Sequence, residues 1–276
     1  MDNLLLNAEQ NEQGFKEYGY VIFRHLIPPD LCRGVVALFE EKIKPYEGAI
    51  MRFPSYMSEP NRFDSYGHVL NHITELQGIE YKDLEEFVNE SISVFTHENL
   101  IREVAKTIEG VPILTQTVYF EGGSKPTPTH QDVYYSPNGT RKLVTAWIAL
   151  EDINPDASRF CIYPKSHELE LPSNSGDYAL NTQRGEKKYL IAVKDFIERL
   201  GLKPEIPLMQ KGDVVLFDGL LIHGSLKAAD PQYSRHSITS FFFPESLNNS
   251  FATKLINGTR VVINPMQYTD RRASYG

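Results

Sequence analysis

The hydrophobic rhythm of the chain changes near residue 112. Before that point, apolar residues recur at three- and four-residue spacing. Leu31, Val35, Leu38, Phe39 and Ile43 form one such stripe, a period that gathers side chains on one face of a helix. It predicts a helix starting after Pro28-Pro29, with Asp30 as its N-cap. An earlier helix is predicted over Glu9 to Tyr18, ended by Gly19, and a short strand over Tyr20 to Phe23. Leu84 to Val94 and Leu100 to Ile108 read as two further helices, the second halted by Gly110 and Pro112. Residues 46–80 have no clean period and read as irregular, rich in aromatics and histidine.

Beyond residue 112 the pattern is that of strands. They are predicted over 113–121, 127–135, 142–150, 159–163, 204–208, 213–217, 235–243 and 260–263. Gly122-Gly123 fits a hairpin turn between the first two. The stretch 168–203 reads as an insertion, a polar loop and then a helix near Val193 to Leu200. No repeat or low-complexity linker divides the chain, so one domain over 1–276 is expected. It would have a helical scaffold over about 1–112 and a strand core over about 113–264. Pattern alone gives an α+β class, mostly antiparallel, with two packed sheets.

Composition narrows the function classes. The chain has 276 residues, 41% hydrophobic and 23% charged, ordinary for a globular protein. Its 28 basic and 36 acidic residues give a net charge of −8, which argues against non-specific nucleic-acid binding and suits a neutral or cationic small molecule. The two cysteines, Cys32 and Cys161, are too few for a disulfide scaffold or a thiolate zinc site. Met1 to Asn7 lacks the basic start and apolar core of a signal peptide, and no apolar run reaches membrane-spanning length. Cytoplasmic residence is the expectation, without a membrane partner; the oligomeric state is not readable.

The chemistry concentrates in three residues. His130-Gln131-Asp132 is an H-x-D pair inside a predicted strand, where alternate side chains share a face. His223 lies 91 positions after Asp132, just past an apolar strand launched by Gly212-Asp213. Two imidazoles and one carboxylate make the facial triad of non-haem iron, which leaves octahedral positions open for a co-substrate and O₂. Arg235, twelve residues after His223, opens another apolar strand.

Thr129-His130-Gln131-Asp132, the strand Leu143 to Asp152, Phe160 to His167, and Gly212 to Ser225 with the later Arg235 occur in this order. Together they resemble the phytanoyl-CoA dioxygenase-like branch of the Fe(II)/2-oxoglutarate oxygenases over roughly residues 14 to 245. The resemblance implies a double-stranded β-helix, the cupin-like jelly roll, with Fe(II) on His130, Asp132 and His223. It implies 2-oxoglutarate and O₂ as co-substrates. The distal carboxylate of 2-oxoglutarate would meet Arg235 and the Ser225 hydroxyl; a guanidinium fork matches a carboxylate where a lysine does not. Thr145, Trp147 and Gln116 are candidates for lining the same pocket or its wall. Asp132 speaks against halogenation, since halogenase relatives carry a small residue there. Ser158-Arg159 departs from the glycine and small residue usual before the Pro-x-Ser-His segment.

The substrate pocket is less legible. Arg52, Tyr56 and His68 fall in the aromatic and polar stretch before residue 72; Gln131, Tyr134 and Arg159 adjoin the metal motifs. These six are the candidate substrate contacts, suiting a compact polar or heterocyclic molecule. Packing of the helices on the sheet is an equal reading for the aromatics. His68 and His72, four apart, could share a helix face but lack a third ligand. The pattern resembles tailoring oxygenases of aminoglycosides and alkaloid toxins, cylindrospermopsin-type guanidine alkaloids among them. The expected reaction is hydroxylation of a specialised metabolite. Desaturation, demethylation or epimerisation on the same iron, and a cupin-like metal module without 2-oxoglutarate, are the alternatives.

Overall fold

The computed structural model describes residues 8–122, 126–135, 142–172, 177, 183–247 and 252–263. Helix α1 (Ala8–Tyr18) ends at Gly19, whose φ of +83° and whose amide bond to Phe15 O close the last turn. Strand β1 (Tyr20–Phe23) follows, then α2 (Pro29–Leu38). Pro28 takes the N-cap position and Asp30 lies in the first turn, correcting the predicted cap. The helix runs on through a wide turn, Phe39–Ile43, so its apolar stripe stays continuous.

The stretch read as irregular holds three short strands, β2 (Ile50–Phe53), β3 (Met57–Glu59) and β4 (His72–Thr74). Each is too short to show alternation, and pairing rather than local pattern makes it a strand. Helices α3 (Glu85–Phe95) and α4 (Glu98–Thr107) match their predicted spans closely. Strand β5 (Pro112–Gly122) then leads to the metal-motif segment. Here the predicted strand over 127–135 is wrong. His130 forms an isolated bridge to His223, and Asp132 opens a one-turn helix, α5 (Asp132–Tyr135). The predicted turn at Gly122-Gly123 extends outside the described residues.

Next come β6 (Val144–Ala149), β7 (Phe160–Ile162), α6 (Gln183–Leu200), β8 (Val214–Asp218), β9 (His223–Ser225), β10 (Ser234–Pro244), β11 (Thr253–Ile256) and β12 (Thr259–Val262). Helix α6 is longer than expected. The strand predicted at 204–208 shrinks to one bridge, Glu205 to Ile162.

The strands form a large sheet, β1-β8-β6-β10-β5-β4-β2-β3, with β12 beside β5 and β11 beside β12. Every pairing in it is antiparallel except β12 with β5. A small sheet, β7-β9, lies opposite, extended by the His130 and Glu205 bridges. This is the jelly roll in its asymmetric form. Alternation along the central strands divides the core in two. Ala146, Ile148, Val214, Leu216 and Ile238 face outward and pack with Val35, Phe39, Phe87 and Val104 of the helices. Trp147, Ala149, Val215 and Phe217 face inward and pack with Phe160 and Ile162 of the small sheet. The inner face therefore looks into the space where the metal motifs meet. Among the described residues, no helix is long and apolar enough to cross a membrane.

Candidate metal centre

Two elements hold the metal motifs against each other. His130 and His223 exchange both backbone hydrogen bonds, N to O at 2.9 and 3.0 Å. Gly224 makes the approach possible: a Cβ there would sit 2.9 Å from Thr127 O and 3.2 Å from Pro128 O. This is why the residue after His223 has no side chain. Asp132 comes onto the same side because the chain turns into α5, which replaces the strand alternation expected of H-x-D.

One ligand atom from each of His130, Asp132 and His223 can be chosen so that all three lie within 4.8 Å of one another. His130 Nε2 is 3.3 Å and His223 Nε2 is 3.5 Å from Asp132 Oδ1. Each imidazole is oriented by its other nitrogen: Nδ1 of His130 pairs with Pro128 O at 2.8 Å, and Nδ1 of His223 with Leu221 O at 2.9 Å. A carbonyl can only accept, so both Nδ1 atoms carry the proton and both Nε2 lone pairs point at the shared space. Thr145 Oγ1 donates to Asp132 Oδ2 at 2.7 Å, leaving Oδ1 toward the imidazoles. Burial works against the Asp132 charge, but the two histidines outweigh it and hold the carboxyl well below the usual range. Burial likewise opposes charge on His223; Asp132 and Leu221 O outweigh it and raise its pKa. An N, N, O set with outer partners on every ligand has the chemistry of a 2-His-1-carboxylate iron site.

The residue between the ligands is structural. Gln131 Nε2 donates to Leu220 O, and its backbone N–H donates to the Tyr189 hydroxyl at 2.9 Å. Tyr189, on α6, is fully buried and stacks on Tyr134 with centroids 3.5 Å apart. Gln131 and Tyr134 were expected to meet substrate; both are spent holding the turn that carries His130 and Asp132. No local signal marked Tyr189, since it lies in the stretch read as an insertion. Tyr189→Phe removes only the acceptor for the Gln131 amide. The expected result is metal affinity weakened roughly tenfold, the low end for lost outer-sphere partners, measured by metal titration. Unchanged affinity would reduce α6 to packing.

Arg235 lies on the inner face of β10 and is 4% exposed. Its Nε is sealed without a partner, and the guanidinium makes no hydrogen bond or ion pair with any described residue. Burial pushes its pKa down to about 10, so it stays charged. An unpaired buried cation is costly, and this one fits a carboxylate. Ser225 is less free than expected. Its Oγ accepts from Thr127 N at 2.8 Å and lies 3.3 Å from Ser158 Oγ, tying β9 to the segment before His130.

The other expected contacts divide. Thr145 serves the Asp132 carboxylate, and Trp147 stacks on Phe160, 5.2 Å between centroids, as core between the sheets. Gln116 donates to Tyr56 OH at 2.8 Å, so these two candidates meet each other on the inner face of β5. Arg52 is corrected to a scaffold role: fully buried, it donates to Glu59 O, Asn71 O and Asn61 Oδ1. His68 is corrected likewise, since its nitrogens contact Glu121 Oε1 and Gln232 O, both at 3.1 Å. It sits in a loop and His72 on β4, so the two share no helix face. Glu40, Glu121 and His236 also come together, but Lys44 Nζ lies 2.6 Å from Glu121 and 3.1 Å from Glu40, where a metal would have to be. Arg159 keeps an unpartnered, sealed Nε; its neighbours Ser158 and Phe160 touch Ser225 and Trp147.

Known proteins resemble this chain in sequence and in fold. Human peroxisomal phytanoyl-CoA dioxygenase is 27% identical over 239 residues, 82% of this chain. The chain spans 65% of the length of that relative. Among solved structures, the epimerase SnoN of nogalamycin biosynthesis, in complex with Fe³⁺, α-ketoglutarate and nogalamycin RO, superposes with a TM-score of 0.62 at 16% identity, covering 93% of this chain and 98% of SnoN. EctD from S. alaskensis with 2-oxoglutarate and 5-hydroxyectoine gives 0.63 at 14%, covering 92% and 80%. At such identities these two establish the fold alone. The model of the phytanoyl-CoA dioxygenase (PhyH) family matches residues 15–237, and the chain belongs to that family.

Proposed function

We propose that this protein is an Fe(II)/2-oxoglutarate-dependent oxygenase that hydroxylates a small polar molecule in specialised metabolism. The observation that carries the reading is the pairing of a largely buried His-Asp-His cluster with the unpaired Arg235 guanidinium inside one jelly roll. His130, Asp132 and His223 would hold the iron, and Arg235 the distal carboxylate of 2-oxoglutarate. Bound there, iron with 2-oxoglutarate and O₂ supplies the oxidation of a C–H bond, with release of succinate and CO₂. Thr145 keeps Asp132 turned to the metal, and Phe217 and Phe160, with ring centroids 4.5 and 5.8 Å from that of His223, exclude water on the sheet side. Arg159 is the group we assign to an acidic substituent of the substrate. One domain in a reducing compartment, the cytoplasm, suits ferrous iron and the buried free cysteines.

Loss of Arg52, His68, Gln131 and Tyr134 to scaffolding narrows the expected contacts to Tyr56 and Arg159; Tyr135, whose ring lies 5.3 Å from that of His130, adds to the wall. A small substrate fits this better than a long acyl chain. The structure of SnoN holds nogalamycin RO and that of EctD holds 5-hydroxyectoine, neither of them an acyl thioester. The relation to phytanoyl-CoA dioxygenase favours the second reading, an acyl thioester. The test supplies Fe(II), 2-oxoglutarate and a panel of guanidine, amino-sugar, amino-acid and acyl-CoA compounds, scored by succinate release and product mass. Succinate release coupled to a polar compound that gains one oxygen is expected. Turnover of acyl-CoA alone overturns the substrate reading, and product without added oxygen overturns hydroxylation. No 2-oxoglutarate consumption under any condition would leave a metal module without this co-substrate.

A further inference from the structure

One carboxylate stands beside the metal centre without a counter-charge. Helix α6 turns one face toward α5. Tyr189, Val193 and Ile197 recur at four-residue spacing along it and pack with Tyr134 and Ile222. Glu186 precedes Tyr189 by three positions, so it continues this stripe one turn nearer the helix start. An apolar residue there would extend the contact. The chain places a carboxylate instead.

Tyr135 links that carboxylate to the metal centre. Its hydroxyl donates to Glu186 Oε1 at 3.1 Å, and its ring stands nearly perpendicular to that of His130, 5.3 Å between centroids. Glu186 is therefore one phenol ring away from a residue of the His-Asp-His cluster. Burial, and then the Glu186 charge, keep the Tyr135 phenol protonated, so it remains a donor. One hydrogen bond leaves most of the acceptor capacity of a carboxylate unused. Glu186 forms no ion pair with a described residue; Lys188 turns to Asp177, and Lys187 is exposed. An acidic residue in the first turn suits the helix dipole, and a fully solvated side chain would serve that purpose. This one is only partly exposed, faces α5 and is fixed by a tyrosine.

We propose that Glu186, held by Tyr135, is a substrate-binding residue that receives a cationic nitrogen group, an amine or a guanidinium, beside the metal centre. This rests on the function proposed above and names its substrate class, an organic cation. A carboxylate that keeps one oxygen on a tyrosine still offers the other to an N–H donor, and a charged donor gains most from it. With Arg159 assigned to an acidic substituent, the substrate carries both signs of charge.

The test is a ligand-observed NMR titration of methylguanidinium, and of neutral methylurea of similar shape, into the protein loaded with diamagnetic Zn(II) and 2-oxoglutarate. The unsubstituted protein should bind methylguanidinium roughly tenfold more tightly than methylurea, the scale of one hydrogen bond to a charged group. Glu186→Gln, which keeps the shape and loses the charge, should bring that ratio close to one. Glu186→Lys should abolish methylguanidinium binding. Asp195→Asn removes the same charge from the opposite, exposed face of α6 and should change nothing, which separates a site from the net charge of −8. A lower melting temperature in Glu186→Gln with the ratio unchanged would reduce Glu186 to a partner of the helix dipole and overturn the proposal. An equal fall in Asp195→Asn would overturn it too. If 2-oxoglutarate binds and methylguanidinium is not preferred, this proposal falls and the functional reading stands. Absence of 2-oxoglutarate binding by the unsubstituted protein overturns both.

Discussion

His130→Ala, Asp132→Ala and His223→Ala are each expected to abolish turnover. Removing one of three protein ligands weakens the metal and turns its open positions away from the pocket. The three losses should not be equal in origin. His130→Ala and His223→Ala remove a neutral donor whose Nδ1 is already anchored on Pro128 O or Leu221 O. Asp132→Ala also removes the one negative charge between them and strands the Thr145 hydroxyl. Asp132→Ala should therefore show the largest fall in affinity for a divalent metal, measured by titration with Fe(II) under anaerobic conditions. Full activity in any one variant would remove that residue from the triad. Equal metal affinity in all three and in the unsubstituted protein would place the metal elsewhere.

Arg235→Ala is expected to raise the 2-oxoglutarate requirement steeply while leaving metal affinity intact. Stranding a buried charge by truncating its partner costs on the order of 2–5 kcal/mol, roughly thirtyfold or more in affinity. Arg235→Lys should rescue only partly, because it keeps the charge and loses the two-pronged fork. The free protein should respond in the opposite sense. Arg235 is buried without a counter-charge, so Arg235→Ala should raise the melting temperature of the protein without ligands. The melting shift on adding 2-oxoglutarate should shrink. An unchanged 2-oxoglutarate dissociation constant in Arg235→Ala would move the co-substrate site away from β10.

Much of the scaffold was legible because it is written in local periods. The stripe from Leu31 to Ile43 predicts its helix, and strands β5, β6, β8 and β10 fall within a residue or two of their predicted spans. The strands that went unseen, β2, β3, β4, β9 and β11, have three or four residues each. Two alternations fit in such a length, too few to distinguish from a loop, and they exist because a neighbouring edge offers hydrogen bonds. The segment 127–135 failed for the opposite reason. Its alternation was present, but Gln131 and Tyr134 are drawn to Leu220, Tyr189 and α6, and these partners bend the chain into a turn after His130.

By itself the sequence determined which residue types are available for chemistry: two histidines and an aspartate in motifs of fixed order, and an arginine after them. Residue type sets ligand chemistry, and that survives any error in secondary structure. Only the tertiary structure decided how polar side chains are spent. Arg52, His68 and Gln131 were as plausible for substrate as any others until their partners appeared: Asn61 and Asn71, Glu121, and Leu220. Arg235 looks no different in sequence, and the fold leaves it unpaired. The physical reason is that a buried polar group must find a partner. Whether that partner is protein or ligand depends on which residues, distant along the chain, the sheet register sets beside it.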